Sequence, residues 1–389
     1  MVAIKPAPGV IPQSLRASQL KRLAFLCGLP VSGRKEELIT RLTNTITATT
    51  TTTTNSASLP PEPRPGPPHG PVVLSIDLGI RNLAFSLLSP IPPAAPPKRK
   101  TKVKKRGDAD QSPSFSGTSP PAVKLHAWRR LSLLEGPARL PTGSGGKEAL
   151  GVDASSTAFS PATLAKTANA FLQETVFRLE PPPTHILIER QRWRSGGGAA
   201  IQEWTVRVNT LEAMLHASLR TLHNVGAWKG EVMSIRPERV GQLFVGAEGT
   251  DTKGAAQTHE PEGDEADMPG DEPRKKRVGG RKTSAEAKKL KIELLSGWLD
   301  QGAHIVEANN VEVKQMLDAY SRAVKGTKHS KSKRGARKGE EEGSLLVLDK
   351  KLDDLTDCLL QGMAWLRWEE NIAMLRREGG VEQLLDEDA

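Results

Sequence analysis

Five acidic residues occupy positions where carboxylates are unusual or closely clustered. Asp77 lies inside the apolar run VVLSIDLG, and Glu189 closes the apolar run HILIE. Asp353, Asp354 and Asp357 follow at a spacing that places all three on one face of a helix. Clustered carboxylates repel one another unless a cation neutralises them, and oxygen ligands without nearby Cys or His select hard cations. Together the five residues therefore predict a site for Mg²⁺, with Mn²⁺ as its substitute.

Each part of this set is open to a plainer interpretation when it is taken alone. The run KKLDDLTDCLL at 350–360 is compatible with a solvated acidic helix face, and Asp77 with a buried aspartate that is neutral or salt-bridged. Glu189, like Asp77, is an acidic residue on an apolar strand. Residues at the strand ends of an open α/β sheet converge on one crevice, and this convergence favours a shared site.

Strand and helix periodicities alternate along the part of the chain that must position these acids. The predicted strands lie at 72–88, where two strands are joined by a tight turn, and at 123–134, 184–190 and 231–237. The predicted helices begin after Ser160, span 199–223, and run from about 345 to 376. Three consecutive strands followed by alternating helices and strands predict an α/β fold, with a mixed five-stranded sheet and flanking helices.

Composition limits how much of the chain can fold. Of 389 residues only 37% are hydrophobic and 4% aromatic, with 35 glycines and 29 prolines, so we expect one core domain, one small module and disordered insertions near 90–121, 246–283 and 325–343. Two cysteines exclude a disulfide framework, and no apolar run reaches the roughly 18 residues of a membrane span. The net charge of +10 favours nucleic acid as a partner.

The N-terminal region predicts a separate helical module. Residues 14–46 form two short amphipathic helices around GLPVSGRK, ahead of a Thr/Pro-rich linker at 47–71. The segment resembles the SAP motif, a helix-extended-helix DNA-binding module. This resemblance implies weak, mostly sequence-independent DNA contacts that tether the protein. The residues implied are Arg16, Lys21, Arg34 and Lys35. Residues 1–13 are a candidate targeting segment, and 377–389 a predicted acidic tail.

The acidic motifs, taken in order, resemble those of a known family. A strand-borne Asp77 followed by glycine and a hairpin, Glu189 at the end of the fourth strand, and a helical Asp-x-x-Asp form the ribonuclease H-like pattern of RuvC-type Holliday-junction resolvases. The stretches IDLGIRNLAFSLL, IERQRWRS and KKLDDLTDCLLQG are similar to the mitochondrial cruciform-cutting resolvases of fungi. The resemblance spans 72 to about 368, and implies a ribonuclease H-like domain over 72–376.

The resemblance also implies a set of metal ligands and a reaction. The implied ligands of two Mg²⁺ ions are Asp77, Glu189, Asp354 and Asp357. The doubled Asp353-Asp354 leaves open which carboxylate faces the metal, and we favour Asp354 because it keeps the three-residue step to Asp357. The implied reaction is hydrolysis of four-way DNA junctions by paired symmetric nicks, without a small-molecule cofactor. It further implies a homodimer, for which the helix at 199–223 is the candidate surface.

Basic and aromatic residues beside the acids are candidate DNA contacts. They are Gln191, Arg192, Trp193 and Arg194, directly after the Glu189 strand, and Lys350 and Lys351, directly before the acidic helix. The alternative for the first group is a tryptophan packed in the core with arginines on the surface. The alternative for the two lysines is that they are simply solvated. A non-catalytic DNA-binding scaffold and a ribonuclease of RNA–DNA hybrids are the alternative functions. The acid-free N-terminus favours mitochondria, and the basic runs at 98–106 and 274–282 leave the nucleus as the alternative.

Overall fold

The computed structural model describes nine stretches of the chain. They are residues 10–48, 70–92, 117–134, 158–191, 203–246, 284–302, 304–329, 348 and 351–386. The predicted targeting segment up to residue 9, the linker from 49 to 69, and most of the three predicted insertions lie outside these stretches. None of the helices within them is long and apolar enough to cross a bilayer.

A mixed six-stranded sheet forms the centre of the protein, with strand order β5-β4-β1-β2-β3-β6. The strands are β1 (Val73–Asp77), β2 (Leu83–Pro90), β3 (Val123–Leu131), β4 (His185–Glu189), β5 (Glu231–Ile235) and β6 (Ile305–Glu307). The first three are antiparallel neighbours, whereas β4 runs parallel to both β1 and β5. The strands that carry Asp77 and Glu189 are therefore adjacent and point the same way.

Helices cover both faces of this sheet. One face packs against α3 (Pro161–Ala170) and α4 (Glu203–Asn224). The other packs against α5 (Pro237–Phe244), α6 (Ser284–Gln301), α7 (Val311–His329) and α8 (Asp353–Leu375). As predicted, Ser160 starts α3, and its Oγ accepts a hydrogen bond from Thr163 N at 3.2 Å. Because both faces are covered, β1 and β2 are buried along most of their length.

The sheet has six strands rather than the five predicted from the sequence. The additional strand β6 is three residues long and runs parallel to β3, with Ile305 opposite Val123. Three residues are too few to show the two-residue alternation by which a strand is recognised. The prediction of an α/β fold with flanking helices is confirmed, and its strand count is corrected.

Several predicted boundaries also differ. Helix α7 continues to His329, so the predicted insertion from 325 begins inside a helix, and α8 begins at Asp353 rather than near 345. Residues 117–121, predicted to belong to an insertion, pack on α8 instead. There Asn371 Nδ2 donates to Gly117 O at 2.9 Å and Arg367 Nε donates to Ser119 O at 2.6 Å. These backbone contacts depend on tertiary packing and leave no periodic signal in the sequence.

The N-terminal module is docked on the main domain. Its helices α1 (Ala17–Leu26) and α2 (Lys35–Ala48) share a buried core with the end of α8 and with α9 (Gly380–Asp386). Asn371 Nδ2 donates to Leu26 O at 2.6 Å, and Arg376 Nε donates to Ile46 O at 3.0 Å. The predicted acidic tail at 377–389 thus contains a helix, because Val381 and Leu384 complete the module's core.

The turn after α1 meets α8 so closely that only glycine fits. Gly28 has a φ of +66°, and an ideal Cβ there would lie 2.3 Å from Trp368 Cδ2. We expect Gly28→Ala to destabilise the protein by about 2–4 kcal/mol, since it adds an overpacked methyl to an unfavourable backbone conformation. Gly226→Ala, at φ +73° with open space around it, isolates the backbone cost and should lose only about 1 kcal/mol. Calorimetric unfolding of both variants tests this, and equal losses would contradict the proposed crowding.

Candidate active site

Parallel pairing of β1 with β4 brings the first two predicted carboxylates together. Ile76 lies opposite Ile188 in the register, so the next residues, Asp77 and Glu189, end the two strands side by side. Burial, then the charge of Glu189 and a side-chain hydrogen bond with it, raise the pKa of Asp77 well above its ordinary value. Ionisation of both carboxyl groups is therefore unfavourable unless a cation lies beside them.

Helix α8 contributes the next two carboxylates. Asp354 and Asp357 lie in its first turns, and the charges of both raise the pKa of Asp77 further. Burial, followed by the charge of Asp353, raises the pKa of Asp354 to about 6. Its Oδ2 atom is buried and has no hydrogen-bond partner among the described residues. A buried carboxylate oxygen without a partner is an unsatisfied acceptor that a cation would satisfy.

Buried polar contacts hold α8 in register with the sheet beneath the acids. Gln361 Nε2 donates to Ser75 Oγ at 3.0 Å and to Ile76 O at 3.2 Å. Ser86 Oγ donates to Cys358 O at 3.1 Å. Gln361 lies four residues after Asp357, and Ile76 directly precedes Asp77. This amide therefore fixes the acidic turn of α8 relative to the end of β1.

Gln191 makes a second set of internal contacts at the end of β4. Its Nε2 donates to Leu78 O at 3.3 Å, and its backbone N–H donates to Glu212 Oε2 at 3.2 Å. Burial raises the pKa of Glu212, although the hydrogen bond from Gln191 opposes the shift. The residue that the sequence suggested for DNA contact thus ties the end of β4 to the end of β1 through its side chain and to α4 through its backbone.

Two lysines from α6 neutralise the acids of α8. Lys291 Nζ lies 2.8 Å from Asp357 Oδ1, and Lys288 Nζ pairs with Asp353. Neither lysine is among the site residues predicted from the sequence. The amphipathic stretch KKLKIELL, directly after the insertion at 246–283, was the available signal for a helix here. Nothing in that stretch shows that the helix packs beside the acidic helix, because this contact joins residues 66 positions apart.

Asp353 and Asp354 have opposite environments although they are neighbours. Burial opposes ionisation of Asp353, but the hydrogen bond and charge of Lys288 outweigh it, so its pKa lies below the ordinary value. The charges of Arg130 and Lys351 lower the pKa of Asp354 but do not offset burial. Arg130 Nη1 also donates to Lys351 O at 2.7 Å and so holds this basic pair at the rim of the cluster. The unpartnered oxygen therefore belongs to Asp354 and not to Asp353.

The four carboxylates are suitable ligands for a divalent cation, although in this structure they do not enclose a position for one. Within the described stretches, no three His, Cys, Asp or Glu side chains already enclose a metal-sized position. Instead, crowding raises the pKa of Asp77, and Lys291 pairs with Asp357. A hard cation would replace this lysine and satisfy Asp354 Oδ2, so the residues present fit Mg²⁺.

The remaining predicted DNA contacts divide into two groups. Lys351 is exposed beside the carboxylates, and the four basic residues of the N-terminal module are exposed on its surface. Arg192, Trp193, Arg194 and Lys350 lie outside the described residues. The structure thus brings together Asp77, Glu189, Asp354 and Asp357, and turns Asp353 towards Lys288.

Fold and site define an α/β protein that gathers four carboxylates at the ends of two parallel strands and carries a helical module docked beside them. The sequence model of the family described as "Mitochondrial resolvase Ydc2 / RNA splicing MRS1" matches residues 73–375, and that of the SAP domain matches residues 12–47. The chain belongs to this Ydc2/MRS1 family. The predicted resemblance to a resolvase family and the predicted SAP motif are both confirmed.

Individual relatives are more distant. "Cruciform cutting endonuclease 1, mitochondrial" of Schizosaccharomyces pombe is 28% identical over 206 residues, which cover 52% of this chain and 55% of the relative. The chain thus aligns with about half the length of that relative. The crystal structure of the yeast mitochondrial Holliday junction resolvase Ydc2 is 20% identical with a TM-score of 0.48, covering 93% of this chain and 96% of Ydc2. RuvC of Thermus thermophilus is 13% identical with a TM-score of 0.21, covering 60% and 97%.

The opposite environments of Asp353 and Asp354 predict opposite effects of their removal. The folded-state pKa of Asp354 lies above its unfolded value, so its contribution to stability is present below about pH 4 and is lost as pH rises through about 6. In metal-free protein at about pH 8, Asp354→Asn should therefore stabilise the fold by about 1 kcal/mol, once solvent screening is allowed for.

The matched variant is Asp353→Asn. The pKa of Asp353 is depressed, so its contribution is present above the unfolded pKa and is lost as pH falls, and Asp353→Asn should be destabilising at about pH 8. Thermal unfolding in a chelating buffer at about pH 4 and about pH 8 measures both. Shifts of the same sign in the two variants would refute the assigned environments.

Proposed function

We propose that this protein is a Mg²⁺-dependent, structure-selective DNA endonuclease that resolves four-way junctions by paired symmetric nicks. The observation that carries the proposal is the convergence of Asp77, Glu189, Asp354 and Asp357 from three separate elements, with one buried oxygen left without a partner. Membership of the Ydc2/MRS1 family supports it. So do the names of two similar proteins, a cruciform cutting endonuclease and a Holliday junction resolvase.

The four carboxylates are the proposed ligands of two Mg²⁺ ions, for which Mn²⁺ would substitute. When bound, such ions activate a water molecule and stabilise the departing 3′ oxygen of a phosphodiester. The chain's own residues prepare this site. Asp77 would bind a cation as the carboxylate, against its raised pKa, and a cation on Asp357 would displace Lys291, whose ammonium group would then be available to the negatively charged phosphate. Lys351 and Arg130 add positive charge at the rim.

DNA binding is proposed to use the N-terminal module as well as the rim of the active site. Arg16, Lys21, Arg34 and Lys35 are exposed on a module that is packed against α8 and α9. A duplex arm held there would keep a fixed relation to the carboxylates, because α8 is part of both. The predicted contacts at Arg192, Trp193, Arg194 and Lys350 remain part of this proposal.

Two equivalent strands must be cut in a four-way junction, so we propose a homodimer that brings two active sites together. Helix α4 is the candidate interface, since its outer face is not covered by the described residues of the same chain. The family description and the name of the fungal relative both include mitochondria. They support a mitochondrial role in DNA recombination and segregation, in agreement with an N-terminus whose first acidic residue is Glu36.

A non-catalytic nucleic-acid scaffold is the second candidate, because the family description also names an RNA splicing protein. The intact set of four carboxylates favours the nuclease, since a scaffold gains nothing from buried acids that must retain a proton. A ribonuclease of RNA–DNA hybrids would use the same site on another substrate. One Mg²⁺ assay with a four-way junction, a hybrid duplex and a linear duplex separates the three, and we expect cleavage of the junction.

Asp77→Asn and Asp354→Asn should each lower junction nicking at least about a hundredfold while leaving junction binding intact, because each removes a metal ligand and no DNA contact. Asp353→Asn is the neighbouring control and should stay within about fivefold of wild type, since Asp353 faces Lys288. Gel-shift and single-turnover cleavage assays on the same junction measure both properties. Nicking that survives in both ligand variants would exclude the proposed site.

Lys291 competes with a metal for Asp357, so its replacement should have two opposed effects. Lys291→Gln should lower the Mg²⁺ concentration needed for half-maximal nicking, and should reduce the rate at saturating Mg²⁺ about tenfold, because a cation beside the phosphate is lost. The matched control is Lys289→Gln, whose lysine is exposed and pairs with Glu293. Single-turnover rates over a Mg²⁺ titration give both parameters. An unchanged Mg²⁺ requirement in Lys291→Gln would contradict the competition.

A further inference from the structure

Trp204 is an exposed aromatic side chain that neither the hydrophobic core nor the carboxylate site uses. Its exposed fraction is 42%, and it is the one aromatic residue among the exposed large apolar side chains of the described stretches. The other exposed ones are valines. Tryptophan usually stabilises a protein through the large apolar area that it buries. A tryptophan that stays exposed is therefore a candidate for contact with a binding partner.

The orientation of Trp204 follows from its place on α4. The buried residues of this helix are Val208, Leu211, Leu215 and Leu219, and Trp204 continues the same stripe one turn before Val208. It therefore faces the sheet side of the molecule, beyond the point where the core ends. Val206, by contrast, lies on the outer face of α4. A second copy docked on that outer face would leave Trp204 uncovered.

The ring of Trp204 is held in place from one side. Phe159 packs against it edge-to-face, with ring centroids 5.7 Å apart at 74°. Phe159 is held in turn by Arg207, whose guanidinium carbon lies 4.0 Å from the ring centroid and which also pairs with Glu203. The result is a rigid aromatic surface with little rotamer freedom to lose on binding.

Arg81 connects this surface to the active site. Its guanidinium carbon lies 6.0 Å from the Trp204 ring centroid, and it belongs to the turn between β1 and β2 that directly follows Asp77. Arg81 lies four positions after Asp77, so their Cα atoms are at most about 14 Å apart. An exposed tryptophan beside an arginine, within this reach of the carboxylates, combines a stacking face with a phosphate-binding cation.

We propose that Trp204 and Arg81 form a subsite for one unstacked nucleobase and its adjoining phosphate in the DNA strand that is cut. This inference rests on the proposed junction-cutting function. A nucleobase fits better than an apolar partner because Arg81 would leave an apolar contact with an unpaired charge, whereas a nucleotide supplies both a π-face and an anion. Branch points offer such bases, since the strands that exchange there lose a stacking neighbour. The subsite gives the protein a way to distinguish a junction from continuous duplex.

Photocrosslinking tests the contact directly and without cleavage. A four-way junction with 5-iodouracil at the branch point is irradiated with the Asp77→Asn protein in a chelating buffer, and the crosslinked residue is mapped by mass spectrometry. We expect the crosslink at Trp204, its retention in Asp77→Asn/Trp204→Phe, and its loss in Asp77→Asn/Trp204→Leu. An undiminished crosslink in the leucine variant would overturn the subsite.

Kinetics provide the second measurement. Trp204→Leu should cut a junction about tenfold more slowly than wild type in single-turnover assays with Mg²⁺, and Trp204→Phe should retain most of the rate, because any aromatic face can stack. Val225→Ala, which removes an exposed apolar side chain just beyond the far end of α4, should match wild type. Equal rates for wild type and Trp204→Leu would overturn the subsite while the junction-cutting function stands.

Sedimentation of the Trp204→Leu variant tests whether a second copy of the chain binds this surface instead of a nucleobase. We expect the same oligomeric state as wild type, and a loss of self-association would overturn the subsite by assigning this surface to a second copy. If the wild-type protein fails to cut junctions, the proposed function fails, and the crosslink still decides whether Trp204 contacts a base. The two failures are therefore distinguishable.

Discussion

The side-by-side placement of Asp77 and Glu189 is the constraint on which the rest of the site depends. Parallel pairing of β1 and β4 fixes the two backbones side by side, and burial makes two charges there unfavourable. Asp354 and Asp357 add negative charge near the pair, and Lys291 compensates for the charge of Asp357. The site therefore combines a raised pKa at Asp77 with a lysine on Asp357, and a divalent cation would relieve the repulsion that causes the first and replace the second.

Much of the fold and all four clustered acids could be predicted because their signals are local. Asp77 and Glu189 stand out as charges in apolar strands, and Asp354 and Asp357 share a helix face, so each is visible within ten residues of sequence. Convergence of strand ends then follows from the general geometry of α/β sheets. The choice of Asp354 over Asp353 as a ligand stays a prediction, and in the structure Asp353 pairs with Lys288.

Groups that act only through long-range packing could not be predicted. Lys291, Gln361 and Glu212 carry no local signal, because a lysine or an amide on a helix is ordinary until its neighbour is known. Gln361 meets β1 across 285 residues of chain. Strand β6 was missed because it is too short, and the docking of the N-terminal module was missed because Val381 and Leu384 resemble any weakly apolar tail in isolation. Gln191 was predicted as a DNA contact from its place after β4, and its hydrogen bond to Leu78 O is a tertiary contact without a local signal in the sequence.

The shared core of α1, α2, α8 and α9 has a consequence for the order in which the protein folds during synthesis. Leu20 and Leu23 are translated more than 350 residues before their buried neighbours Leu375 and Leu384. Until those residues are made, the module has an unfilled apolar face and must survive as a marginal helical hairpin or wait for a chaperone. Helices α1 and α2 therefore complete their native packing only after α8 and α9 have been translated.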